Sequence, residues 1–126
     1  MNAQKLFSLE GQTAIVTGAS TGLGRGMAVA LASAGSDCVL VARSPSTETE
    51  KEINAIGRKA IVVSADMSDS NSMEKIVKAS INAFGKVDIL VNNAGTIRRA
   101  EILEFTEKDL DDVMDVNVKS LFLLSQ

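Results

Sequence analysis

Eight residues, Thr17-Gly18-Ala19-Ser20-Thr21-Gly22-Leu23-Gly24, follow directly on the apolar run Ala14-Ile15-Val16. A strand that runs through a glycine-rich turn into a helix gathers backbone N–H groups at one point, an arrangement suited to a phosphate. Gly18 permits the sharp reversal, because glycine takes positive φ without a Cβ clash. Gly22 and Gly24 remove side chains where a pyrophosphate approaches the first helical turn and where that helix lies close to the sheet. Any tight strand-to-helix connection favours glycine, so this turn alone is weak evidence. A second block, Asp88-Ile89-Leu90-Val91-Asn92-Asn93-Ala94-Gly95, makes it much stronger.

The rest of the chain alternates strand and helix patterns. Strands are predicted over 13–17, 38–42, 60–64 and 87–92, the first a continuous apolar run of the kind covered on both faces. A helix over 22–34 carries Leu23, Met27, Ala30, Leu31 and Ala34 inward and stops at Gly35. Ser44-Pro45 reads as the cap and first residue of a second helix, ending at Gly57. A third covers 69–84, with Met73, Ile76, Val77, Ser80 and Phe84 on one face and Gly85 after it. Thr106 and Asp109 form a capping-box-like start to a last helix bearing Leu110, Val113, Met114, Leu121 and Leu124. The fold class expected is α/β, a doubly wound parallel sheet of Rossmann type with four strands in the order 3-2-1-4. Residues 1–126 read as the N-terminal portion of one such domain. The fourth strand is an edge and the last helix is apolar to the end, so the chain is expected to be truncated and to associate when alone.

With 126 residues and 45% apolar content, one domain is expected. A net charge of −3 provides no electrostatic footprint for nucleic acid. Cys38 is the single cysteine and there is no histidine, which argues against an internal disulfide and against a zinc or transition-metal site. Cys38 lies in an apolar strand and reads as core filler. No stretch approaches a membrane span and no leader is seen, so a cytoplasmic protein without membrane contact is expected.

The two blocks resemble the short-chain dehydrogenase/reductase family, whose glycine pattern is T-G-x-x-x-G-x-G and which carries N-N-A-G after its fourth strand. The resemblance implies hydride transfer between a nicotinamide cofactor and a carbonyl or secondary alcohol. It also implies a cofactor site built from Gly18, Ser20, Thr21, Gly22, Leu23 and Gly24, from Asp66 and Met67 beside the adenine, and from Asn93, Ala94 and Gly95 beside the nicotinamide ribose. The family's serine and Tyr-x-x-x-Lys pair find no match, and the chain has no tyrosine. Catalysis is thus expected of a longer parent and not of these residues alone; a catalytically inactive nucleotide-binding module is the other reading.

Cofactor choice is read at the end of the second strand, where an NAD enzyme places a carboxylate on the ribose 2′-hydroxyl. Ala42 stands there, followed by Arg43, whose guanidinium suits a 2′-phosphate. NADP is therefore favoured over NAD, although Arg43 snorkelling over the strand end would explain the residue equally. Asp66 also fits a simple turn. Asn117, a polar amide on an apolar helical stripe, matches the family asparagine of the proton relay; a helix–helix hydrogen bond is the structural alternative. Arg98 and Arg99 follow at the carboxyl end of a strand and form a candidate receptor for a substrate carboxylate, or merely a solvated pair. Residues 92–126 are most similar to sugar-acid dehydrogenases of the family, which implies a small sugar-acid substrate and a homo-oligomer, dimer or tetramer, at full length.

Overall fold

The computed structural model of the chain describes residues 2–126. Four parallel strands form one sheet: β1 (Thr13–Thr17), β2 (Asp37–Ala42), β3 (Ala60–Ser64) and β4 (Ile89–Val91), in the order β3-β2-β1-β4. The register sets Ile15 beside Val39 and Leu90, and Val39 in turn beside Ile61. A short α1 (Ala3–Leu6) precedes the sheet, and α2 (Gly22–Ser33), α3 (Thr47–Ala55) and α4 (Asn71–Phe84) make the crossovers. After β4 come α5 (Glu107–Met114), a π-helical turn (Asp115–Lys119) and α6 (Ser120–Ser125).

Strand alternation divides the core in two. Ile15, Val39, Val41 and Val63 point to one face and pack with Met73, Ile76 and Leu124. Val16, Cys38 and Leu40 point to the other and pack with Ala28, Ala32 and Ile53. Every residue of β1 is buried, as a strand covered by helices on both faces should be. Burial pushes the Cys38 thiol up to about 11, with a smaller contribution from Asp37, so at neutral pH it is uncharged core filler as expected.

Several local expectations are corrected. The buried stripe of α2 is Gly24, Ala28 and Ala32, one residue on from the expected one, and Leu23 is 80% exposed. Small residues line this stripe because backbone approaches it closely: a Cβ on Gly24 would stand 1.9 Å from the Gly18 carbonyl oxygen of the turn, and Cys38 Sγ of β2 lies 3.7 Å from the Ala28 carbonyl. Ser44-Pro45 does not begin α3, which starts at Thr47 behind Ser46. The Ser44 hydroxyl is not used as a cap; it hydrogen-bonds Ser20 across the loop, Oγ to Oγ at 3.3 Å. The fourth strand is shorter than 87–92, because at Asn93 the backbone N–H already turns to the Thr17 hydroxyl. On α4, Val77 is 40% exposed while Met73, Ile76 and Ser80 are buried. The last helical segment is not continuous. Its extra π residue rotates the inward face, so Val116, Ser120, Leu123 and Leu124 turn to the core, and Leu110, Met114 and Leu121 remain exposed.

Gly24→Ala is expected to cost about 1–3 kcal/mol as an overpacked contact. Gly26→Ala, on the same helix with open space where the Cβ would stand, is expected to add up to about 1 kcal/mol through helix propensity. Urea unfolding of the two variants checks the contrast.

Candidate dinucleotide-binding site

The strand order places the site. From β1 the chain moves outward through β2 to β3, then crosses back to β4 on the other side of β1. The loops after β1 and β4 therefore diverge and leave a crevice at the carboxyl ends of the strands, where ligands of open α/β sheets bind. A cavity of about 570 Å³ lies there, lined by the loops after all four strands and by α5.

Thr17 holds the floor of this crevice. Its hydroxyl, buried at the end of β1, accepts the N–H of Asn93 at 3.0 Å and of Ala94 at 2.9 Å and donates to the Val91 carbonyl at 3.3 Å. Asn93 reciprocates by donating its amide to the Gly18 carbonyl at 3.3 Å. Gly18 sits at φ +65°, and a Cβ there would meet the Asn93 amide at 2.8 Å. The glycine turn and the Asn92-Asn93-Ala94-Gly95 turn thus depend on each other, which neither motif shows alone. Asn92 reaches the other way, to the Ser125 hydroxyl at 3.4 Å.

One wall carries Ser20 and Thr21, the exposed Arg43 with Ser44, and the Ala65-Asp66-Met67-Ser68 loop. Asp66 Oδ1 accepts the backbone N–H and hydroxyl of Ser68, at 2.9 and 2.7 Å, so it makes a turn as well as lining the cavity. Those two bonds, the backbone one first, hold its carboxyl below the usual carboxylate range, with Arg43 adding a smaller pull. Met67 is buried at the cavity base. Of the predicted cofactor residues, Gly22, Leu23 and Gly24 do not reach the cavity wall. Gly24 acts by closeness of backbone, and Gly22 by its φ of +58° at the start of α2.

The opposite wall is Thr96, Arg98, Lys108, Asp112 and Val116. Asn117 lies in the π turn, and its amide is spent on one residue: Thr96 N–H donates to Oδ1 and Nδ2 donates to the Thr96 carbonyl, both at 2.8 Å. That is a helix-to-loop clamp and not a helix–helix bond. Arg98 donates to the Thr96 hydroxyl and the Ile97 carbonyl, with Asp109 and Asp112 at 3.9 and 3.6 Å. Lys108 pairs with Asp112 at 2.9 Å and, with Arg98, holds the Asp112 carboxyl low. The charge of Arg98 is thus balanced within the chain. Arg99 is exposed and does not line the cavity.

The family model for short chain dehydrogenases matches residues 12–126. The chain belongs to the short chain dehydrogenase family. It is 51% identical over 120 residues to the 2-dehydro-3-deoxy-D-gluconate 5-dehydrogenase of Dickeya dadantii, covering 95% of this chain and 47% of that protein. It is 40% identical over 128 residues to the gluconate 5-dehydrogenase of Gluconobacter oxydans, covering 100% and 50%. Among solved structures it superposes with a TM-score of 0.83 and 47% identity on an Agrobacterium tumefaciens protein provisionally named 2-deoxy-d-gluconate 3-dehydrogenase, with bound NADP, covering 95% and 47%. The chain spans about half the length of the relatives it matches.

For a short chain dehydrogenase the donor set fits a dinucleotide. The cradle is bare where a Cβ would intrude, hydroxyls line the turn, a cation stands at the end of β2 and a carboxylate follows β3. Sequence reading missed Ser44, Ser68, Thr96, Lys108 and Asp112 as lining residues. Only the Lys108–Asp112 pair had a signal, its i,i+4 spacing; the others depend on where the loops land. Asn117→Asp should set two oxygens face to face at the Thr96 carbonyl. A loss of about 1–3 kcal/mol is expected, read by denaturant unfolding at neutral pH and smaller at low pH, where the new carboxyl is protonated and can donate.

Proposed function

We propose that this chain is the cofactor-binding half of an NADP-preferring dehydrogenase that acts on a sugar acid of the deoxygluconate class. The observation that carries the cofactor part is the cavity wall: Arg43 and two serine hydroxyls stand where the carboxylate of an NAD site is absent, Ala42 taking its place. The Agrobacterium relative with bound NADP is in line with it. The sugar-acid part rests on the names of the relatives. The adjacency of Arg98 and Arg99 adds no support to it, because Asp109 and Asp112 stand beside Arg98 and Arg99 lies off the cavity wall.

Bound here, a nicotinamide dinucleotide would give or take hydride at its C4. On this reading the glycine turn and its hydroxyls hold the pyrophosphate and adenosine side, Arg43 the 2′-phosphate, and Asp66 with Met67 the adenine. Backbone of Asn93–Gly95 flanks the nicotinamide ribose, kept in place by Thr17 from beneath and by Asn117 through Thr96. Asn117 is therefore a positioning residue. The tyrosine, lysine and serine that move the proton in this family would be supplied outside these residues, and the 126-residue chain is expected to bind cofactor without turning it over.

NADPH binding, followed by nucleotide fluorescence and calorimetry, tests the reading. The chain is expected to bind NADPH more tightly than NADH. Arg43→Asp should weaken NADPH by roughly one to two orders of magnitude, the worth of a charged hydrogen bond of about 1.5–3 kcal/mol, and leave NADH nearly unchanged. A folded chain that binds neither nucleotide would overturn the proposal.

A further inference from the structure

Thr49 lies on the first turn and a half of α3, outside the cavity wall, and is wholly buried. Its hydroxyl donates to the carbonyl of Ala19 at 2.7 Å. Ala19 is the residue of the glycine turn between Gly18 and Ser20, also wholly buried, and its own N–H donates to the Val41 carbonyl at 3.1 Å. The turn is thus pinned on one side by β2 and on the other by α3. Both pins come from the two elements that flank the connection carrying Arg43 and Ser44.

This places two halves of one subsite under common control. Ser20 follows Ala19 directly, and its hydroxyl meets that of Ser44 at 3.3 Å across the cavity wall. Moving the turn relative to α3 would change the Ser20-to-Arg43 spacing, and only a group that touches both sides would register the change. We propose that Thr49 is a positioning residue that fixes the glycine turn against the Arg43–Ser44 connection, and so sets discrimination for a dinucleotide bearing a ribose 2′-phosphate. The proposal rests on the cofactor reading given above. A dinucleotide without that phosphate contacts the turn through its pyrophosphate and has less need of the spacing. The late start of α3, two residues beyond Pro45, is what brings Thr49 opposite Ala19. The α2–α3 contact carries a second tie remote from Ala19, an ion pair between Arg25 and Glu52, which separates general helix docking from the Thr49 bond in the test below.

Calorimetric titration of the chain with NADPH and with NADH, in wild type, Thr49→Val, Thr49→Ser and Glu52→Gln, tests this. Thr49→Val leaves the Ala19 carbonyl without the hydroxyl; NADPH affinity is expected to fall about tenfold and NADH affinity to stay within about twofold. Thr49→Ser keeps the donor and should keep wild-type discrimination. Glu52→Gln, which loosens the α2–α3 surface pair alone, should leave the ratio of the two affinities unchanged. Equal losses for both nucleotides in Thr49→Val, no loss at all, or lost discrimination in Thr49→Ser would each overturn the role of Thr49. If wild type binds neither nucleotide, the cofactor reading itself falls. Should Thr49→Val fail to fold, the Thr49→Ser ratio decides alone.

Discussion

The buried hydroxyl of Thr17 is the contact on which the rest of the crevice depends. It accepts two successive N–H groups, from Asn93 and Ala94, and donates to Val91. Backbone amides at the end of a buried strand must find partners or pay for desolvation, and β4 is too short to provide them through the sheet. One side chain of β1 thereby ends β4, turns the chain into Asn93–Gly95, and brings the Asn93 amide under the glycine turn. The site floor is a single hydrogen-bonded unit made from two segments more than seventy residues apart.

The far wall is fastened by a different device. The π turn of Asp115–Lys119 adds a residue where α5 and α6 would otherwise run on as one helix, and it carries Asn117, whose amide clamps both backbone groups of Thr96. The same turn rotates the inward face so that Ser120 and Leu124 reach the core below. Local irregularity in the helix is therefore tied to the position of the loop that follows Gly95. The Arg98–Asp112–Lys108 group reinforces that loop at its exposed end; exposed ion pairs contribute little each, so the Asn117 clamp dominates.

Much of this was legible from residue order. Glycine at 18, 35, 57 and 85 ended or began elements where positive φ was needed, and all four adopt it. The strands and their 3-2-1-4 order followed from apolar runs and chain connectivity. Errors arose where two elements approach each other. Periodicity points to Leu23, Met27, Ala30, Leu31 and Ala34 as the stripe of α2, but the residues that the packed helix buries are Gly24, Ala28 and Ala32. Ser44-Pro45 carried a sound helix-start signal that the Ser20–Ser44 contact and the burial of Ser46 overrode.

Sequence by itself determined the family, the α/β class and the conformation of the first glycine turn, since each depends on short-range chemistry: glycine's freedom at φ > 0, hydrophobic period, and turn residues at fixed spacing. Tertiary structure decided which polar groups line the cavity and which serve as braces. Arg98 and Arg99 are adjacent and alike in sequence, yet one lines the cavity with its charge balanced by α5 and the other faces solvent. Asn117 is marked in sequence only as a polar amide on an apolar stripe and Thr49 is not marked at all; the first clamps Thr96 and the second pins Ala19 only because the fold brings their partners within 3 Å. A hydrogen bond is selected by distance and direction between groups remote in the chain, and those are properties of the packed molecule, not of residue order.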